Sequence, residues 1–190
     1  MPDDLTAQKR TLRVALRDRR RSELAERDRP EVARRLADHA LALAREIVPD
    51  GGRVTAYESF WWEPPTEAML TALTDAGYDV IVPVTLGHHQ LDWRHVGLPD
   101  ERLGGAAFAA ADLVLSPGMT VDRPGMRLGQ GGGYYDTAIA TLPASTPVVT
   151  VLFDEEYDDR VVPHDDRDRR VHGVLTASGM RWLQRPEPRA

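Results

Sequence analysis

The chain has 190 residues, 42% of them hydrophobic and 28% charged, with a formal net charge of −6. That is enough for one compact domain with a sizeable core, and the acidic balance argues against a general nucleic-acid binder, which carries a basic excess. No run nears the ~20 apolar residues of a membrane span and no apolar stretch follows the charged first residues as in a secretory signal, while the absence of cysteine excludes disulfides, a thiolate nucleophile and a cysteine-ligated zinc ion; a cytoplasmic protein is expected.

Residues 4–24 place Leu5, Leu12, Leu16 and Leu24 among good helix formers, the spacing of an amphipathic helix. Arg10, Arg13, Arg17, Arg19, Arg20 and Arg21 crowd it and read first as a solvated face, with an anion site fed by one or two of them as the alternative. Of 24 basic residues 23 are arginine, and the single lysine is Lys9, a compact ammonium suited to meeting a phosphate as a point charge. A second helix is expected over 30–47, with Asp28 and Pro30 at its start and Val32, Leu36, Ala40, Leu43 and Ile47 at helical spacing. PDGG at 49–52 stops it. A strand is predicted over 53–60, a helix over 64–77 with Gly77 closing it, and strands over 78–85 and 91–96. Downstream come a short helix or turn and the strand DLVLS within 106–118, a helix over 134–142, a strand over 147–154 and a last strand within 171–179. Strands alternating with helices imply parallel pairing with helices on both faces. The fold class expected is α/β: a single three-layer αβα domain over 1–190, around a mostly parallel sheet, with two N-terminal helices.

Residues 127–136 read RLGQGGGYYD. In an α/β sheet, ligands sit beyond the C-terminal strand ends, where loops run into helix starts. Glycines there let main-chain N–H groups approach an anion with no Cβ in the way. The stretch Leu128, Gly129, Gln130, Gly131, Gly132, Gly133 therefore reads as a phosphate cradle. Arg127 would add a guanidinium contact, and Asp136, in the first turn of the next helix, would ligate a hard cation. The run matches neither GxxxxGK[ST] nor GxGxxG.

The stretch ADLVLSPGMTVDRPGMRLGQGGGYYD (111–136) resembles the signature of the 5-formyltetrahydrofolate cyclo-ligases, DLVLVPGLAFDxxGxRLGxGxGYYD, with Val121 where that family usually has phenylalanine. KRTLR (9–13) resembles the family's K-x-x-L-R element, which places Lys9 and Arg13 where relatives contact nucleotide phosphates. YESFWWEPPT (57–66) resembles the folate-contacting segment, so Glu63 and Glu58 fall on substrate-contacting positions. One ring of the Trp61–Trp62 pair would lie over a pterin or aryl group; Trp62, beside Glu63, is the candidate. VVPHDDRDRRVHGVLT (161–176) resembles VPxExHDxxxDxVxT and puts Asp168 on the aspartate assigned to magnesium, beside Asp136. Two residues depart from that pattern: Arg167 stands for its histidine and His172 for its later aspartate. Arg167 would then compete with magnesium for Asp168, or meet a phosphate.

The resemblance implies ATP-dependent cyclisation of 5-formyltetrahydrofolate to 5,10-methenyltetrahydrofolate, with Mg²⁺ as cofactor and no protein nucleophile. Lys9, Arg13 and residues 127–135 would bind ATP, with Tyr134 or Tyr135 orienting a phosphate or formyl oxygen. Arg127, Tyr134 and Glu63 would act on the reacting groups. Glu58, Glu63, Trp62 and Tyr134 would contact the folate, and Asp136 and Asp168 the metal. The partners expected are ATP and a folate, and Arg13, Arg17 and Arg20 would attract the acidic tail of a polyglutamylated one; neither nucleic acid nor a membrane is expected, and a monomer is favoured. Two alternatives stand beside this reading: another small-molecule kinase or ligase on the same fold, and a non-catalytic nucleotide- or RNA-binding relative.

Overall fold

The computed structural model describes residues 2–187. Helix α1 spans Pro2–Ser22 and α2 spans Arg29–Ile47. Asp28 caps α2 by accepting from the Glu31 N–H at 3.1 Å, and Pro30 occupies the first turn, where no amide is needed. The later helices are α3 (Glu67–Asp75), α4 (Gly105–Ala109) and α5 (Tyr134–Ile139). The strands are β1 (Arg53–Thr55), β2 (Asp79–Thr85), β3 (Leu91–His95), β4 (Leu113–Pro117), β5 (Thr120–Val121), β6 (Arg127–Leu128), β7 (Val148–Val151), β8 (Gly173–Thr176) and β9 (Gly179–Trp182). Seven of them make one sheet in the order β3-β2-β1-β4-β7-β8-β9, while β5 and β6 pair separately as a small hairpin.

The five inner strands run parallel, and β3 and β9 close the two edges antiparallel. Side chains alternate across the sheet, as the pleat requires. Val54, Val80, Val82, Leu113 and Leu115 meet Leu36, Leu43, Met69 and Leu73 of α2 and α3. Ile81, Val114, Val148 and Val174 point the other way, toward Phe108 of α4 and Ile139 of α5. The result is three layers, αβα. A third cluster seats α1 apart from both faces: Leu16 packs with Met119, Met126, Leu128 and Val162. No helix among the described residues is long and apolar enough to cross a membrane.

Some elements differ from the sequence expectation. The strand predicted over 53–60 ends at Thr55. The Ala56 N–H still reaches Ile81 O at 3.0 Å, but beyond it the backbone turns to a side chain: Thr66 Oγ1 donates to Tyr57 O at 2.7 Å and accepts from Ser59 N–H at 3.0 Å. Pro64 and Pro65 delay α3 to Glu67. Gly77 follows α3 at φ +87°, the left-handed turn expected of it. The last predicted strand is a hairpin, with β8 folding back at Ala177–Ser178 into β9. Only the parallel pairing of the inner strands was expected; both antiparallel edges are additional.

Candidate active site

Strands β2 and β4 flank β1 on opposite sides, so the chain leaves the sheet in opposite directions after β1 and after β4. A crevice opens at such a switch point, beyond the C-terminal strand ends. Here it is a cavity of about 1060 Å³, at the upper end of small-molecule sites. Five segments wall it: the first half of α1, the loop after β1, the β2–β3 hairpin with His89, the glycine loop with the start of α5, and residues 165–169. Lys9, Arg13, Glu58, Glu63, residues 127–136 and Asp168 all line it. Trp62 does not. It is partly buried beside Leu12, 5.9 Å below the Arg17 guanidinium and 5.7 Å from that of Arg20, with its ring parallel to Phe60. Tyr57 and Phe60 are the aromatic residues of this loop that line the cavity.

The glycine loop is shaped by its neighbours. A Cβ on Gly129 would lie 2.9 Å from Arg127 Nη1, so the guanidinium lies flat against bare backbone. Gly133 holds φ +67° as the residue before α5, a conformation L side chains rarely adopt. Arg127 is buried, donating to Pro117 O at 3.1 Å and to Asp136 Oδ1 at 2.9 Å. Its Nε has no partner. Two donors are thus committed to protein, and the residue fixes Asp136 as much as it faces a ligand. Tyr134 is half-buried on the cavity wall, its ring 5.9 Å from that of His89. Tyr135 packs edge-on to Trp93, with its hydroxyl buried and unpartnered; burial pushes its pKa above the ordinary range.

At the other end, Glu63 is 3% exposed. Its Oε2 accepts from the Phe60 N–H at 2.8 Å, and its Oε1 accepts from the Gln130 amide, which joins the loop after β1 to the glycine loop. Burial raises the Glu63 carboxyl above the usual range, against the pull of the Phe60 N–H and of Arg20. The Tyr57 hydroxyl, likewise buried and unpartnered, lies under the same wall, and burial raises its pKa as well. Glu58 is half exposed and pairs with Arg94 at 2.5 Å.

The cationic residues are tied to the site they line. Lys9 Nζ reaches both oxygens of Asp168, at 2.5 and 2.8 Å, and the Asp165 N–H donates to the same carboxylate at 2.7 Å. Arg13 Nε donates to Gly129 O at 2.8 Å. Arg167 pairs with Asp165 at 2.8 Å, and it is Lys9 that holds the Asp168 carboxylate. His172 lies away from the cavity, accepting the Val148 N–H at 3.0 Å on Nδ1, and burial lowers its pKa. Arg20, expected on a solvated face or near an acidic tail, is fully buried and paired with Glu156.

Among the described residues, no three His, Asp or Glu side chains gather into an ion cage. Asp136 is engaged through Oδ1 and Asp168 through both oxygens. Magnesium keeps several waters and takes one or two carboxylates together with substrate phosphates. This donor set fits an ion carried in on phosphates, with Asp136 the readier ligand and Asp168 available once Lys9 moves.

Sequence reasoning missed Tyr57, Phe60 and His89. The first two flank Glu58 at the mouth of a strand, which is signal enough once the strand is known to end at Thr55. His89 gave none: it sits in the turn after β2 at φ +60°, and its Nδ1–H donates to Gly132 O.

Comparisons with known proteins bear on the family and the fold. The model of the 5-formyltetrahydrofolate cyclo-ligase family matches residues 5–177. A 5-formyltetrahydrofolate cyclo-ligase of Mycolicibacterium smegmatis is 32% identical over 187 residues, spanning 88% of this chain and 93% of the relative. A solved 5,10-methenyltetrahydrofolate synthetase of Mycoplasma pneumoniae superposes with a TM-score of 0.73 at 16% identity, covering 89% of this chain and 98% of that one. The Aquifex aeolicus 5,10-methenyltetrahydrofolate synthetase gives 0.65 at 19% identity, covering 94% and 96%. These two likenesses concern the fold. The chain belongs to the 5-formyltetrahydrofolate cyclo-ligase family.

Proposed function

We propose that this member of the family is a one-domain, monomeric cytoplasmic enzyme that converts 5-formyltetrahydrofolate and ATP into 5,10-methenyltetrahydrofolate, ADP and phosphate. The observation that carries the reading is the two-ended cavity. One end offers bare backbone, Lys9, Arg13 and two aspartates; the other offers a buried carboxyl among aromatic rings. The first suits a triphosphate and the second a pterin, and about 1060 Å³ has room for both reacting groups.

The chemical difficulty is that an N-formyl group is an amide whose oxygen leaves poorly. The formyl oxygen attacks the terminal phosphorus of ATP, the bond from that phosphorus to the ADP oxygen breaks, and an iminium phosphate forms. N10 then attacks the activated carbon and gives up its proton. Expulsion of phosphate with the C–O electron pair leaves the conjugated methenyl cation. Such phosphoryl transfer asks the protein for positioning and charge neutralisation more than for covalent chemistry.

Each residue has a place in that task. The glycine loop presents N–H donors to the phosphates, Lys9 and Arg13 close over them from α1, and Arg127 holds Asp136 in its orientation. Asp136 and Asp168 would hold magnesium, which would neutralise phosphate charge. Tyr134 orients the transferred phosphoryl or formyl oxygen. Glu63, fixed by Phe60 and Gln130, holds the pterin so that the N5 formyl group faces the glycine loop, and Phe60 stacks on the ring system at the mouth. Glu58 lines the folate side.

The test is optical. Purified protein is mixed with 5-formyltetrahydrofolate, MgCl₂ and ATP, and the ultraviolet absorbance of the methenyl cation is followed. An absorbance rise that needs both ATP and Mg²⁺ is expected. Nucleotide binding with no rise would mean that the cavity serves another acceptor.

A further inference from the structure

Arg20 is the one arginine of the α1 run that is wholly enclosed. Its Nε and Nη2 meet Glu156 Oε1 and Oε2 at 2.5 and 2.8 Å, and Nη2 also donates to Gly118 O at 2.6 Å. Glu156 is itself fully buried; its Oε2 accepts from the Phe153 N–H at 3.0 Å, and its carbonyl accepts from Thr120 Oγ1. The guanidinium lies 5.7 Å from the rings of both Trp62 and Phe153. Four segments therefore converge on one side chain. They are α1, which carries Lys9 and Arg13; the turn after β4, whose Gly118 follows the Pro117 carbonyl that holds Arg127; the loop after β7; and the residue preceding Glu63. Arg20 lines no part of the cavity.

We infer that Arg20 is a positioning residue, which through Glu156 and Gly118 fixes α1 in register so that Lys9 and Arg13 stand over the phosphate end of the cavity. This rests on the reading proposed above. Little else holds α1 in register away from the cavity. Among the described residues its other long-range polar ties are three: Lys9 to Asp168 and Arg13 to Gly129 O are made to the site itself, where a nucleotide and its metal would compete for them, and Arg19 Nη1 to Glu155 O is a single long bond of 3.3 Å to the same loop that carries Glu156. Leu16 packs well but without direction: apolar contact resists removal of the helix while permitting it to rotate or slide. A guanidinium fork on a carboxylate sets both angle and register. The best-attested use of a buried charged or polar group is such registry.

Arg20→Met alone would leave Glu156 buried without its counter-charge and confuse stability with position. The double variant Arg20→Met/Glu156→Leu removes both charges, a change that often leaves stability equal or better. Its thermal melt, its binding of Mg·ATP by calorimetry and its KM and kcat are compared with wild type. The melting temperature is expected within about 3 °C of wild type, with the ATP Kd and KM raised roughly tenfold or more and the KM for 5-formyltetrahydrofolate nearly unchanged. Arg20→Lys is expected to melt above Arg20→Met yet bind ATP poorly, because an ammonium cannot reproduce the fork. A double variant that melts and binds ATP like wild type overturns the inference. Should it not fold, wild-type ATP affinity in Arg20→Lys overturns it equally. Failure of wild type to bind ATP at all overturns both this inference and the reading beneath it, so the two failures are distinguishable.

Discussion

Arg127→Met tests whether the glycine loop is held from below. The guanidinium is 4% exposed and makes two bonds, to Asp136 at 2.9 Å and to Pro117 O at 3.1 Å. A hydrogen bond between charged groups contributes about 1.5–3 kcal/mol, and a buried carbonyl left without a donor costs roughly 1–3 kcal/mol. Two terms reduce the sum. The Asp136 side chain is 20% exposed and recovers some hydration, and the unpartnered Arg127 Nε already carries a desolvation cost that methionine removes. A net loss of about 2–4 kcal/mol follows, which in a chain of this size lowers the melting temperature by roughly 5–15 °C. Turnover should fall by about a hundredfold or more, since Asp136 loses its orientation. The assay is a double-mutant cycle with Asp136→Asn, read by thermal melts at neutral pH. A coupling of about 1–2 kcal/mol is expected. Melts unchanged by Arg127→Met, with no coupling to Asp136→Asn, would refute the claim that this pair supports the loop.

Glu63→Gln addresses the buried carboxyl. Burial raises the Glu63 pKa, so folding favours the protonated carboxyl relative to the unfolded chain. Wild-type stability therefore falls as pH rises from the unfolded value, near 4.5, through the raised folded one. The amide has no charge to bury, so the variant should melt higher than wild type at pH 8 and nearly equal to it at pH 4, while turnover drops steeply; equal melts at pH 8 would contradict the burial argument. Lys9→Arg keeps the charge but not the compact point contact on Asp168, and should raise the KM for ATP by about tenfold with little effect on the melt; an unchanged KM would remove Lys9 from the phosphate site. Phe60→Ala deletes a 64% exposed ring and should leave stability within about 0.5 kcal/mol. Its KM for folate should rise severalfold and that for ATP should not; the reverse pattern would mean that the ring serves the nucleotide.

How far the sequence could be read depended on where each signal lived. The inner strands were legible because strands buried on both faces are runs of apolar residues, as in DLVLS and PVVTVL. The glycine loop was legible because its shape requires bare backbone at Gly129 and a left-handed residue at Gly133. Strand β9 was not: GMRW carries no apolar run, and it forms because β8 offers an unpaired edge. The AYESF segment has the composition of a strand and leaves the sheet all the same, as position at the switch point outweighs propensity. Arg20 shows the limit most clearly. Leu12, Leu16 and Arg20 recur every four residues along one face of α1, which could have marked Arg20 as inward-facing. Its partner Glu156 lies 136 residues away, a pairing no local pattern carries. Likewise Lys9 and Asp168 were each assigned to a ligand, and their contact with each other appears only in three dimensions.

The central claim is that the cavity transfers a phosphoryl group to the formyl oxygen, and isotopic labelling tests it most directly. 5-Formyltetrahydrofolate carrying ¹⁸O in its formyl group is turned over with ATP and Mg²⁺, and the inorganic phosphate is analysed by mass spectrometry. The mechanism predicts one ¹⁸O atom in each phosphate released, formed in step with the methenyl chromophore. Unlabelled phosphate, with the isotope lost to water, would contradict it and require a route in which ATP is hydrolysed apart from ring closure.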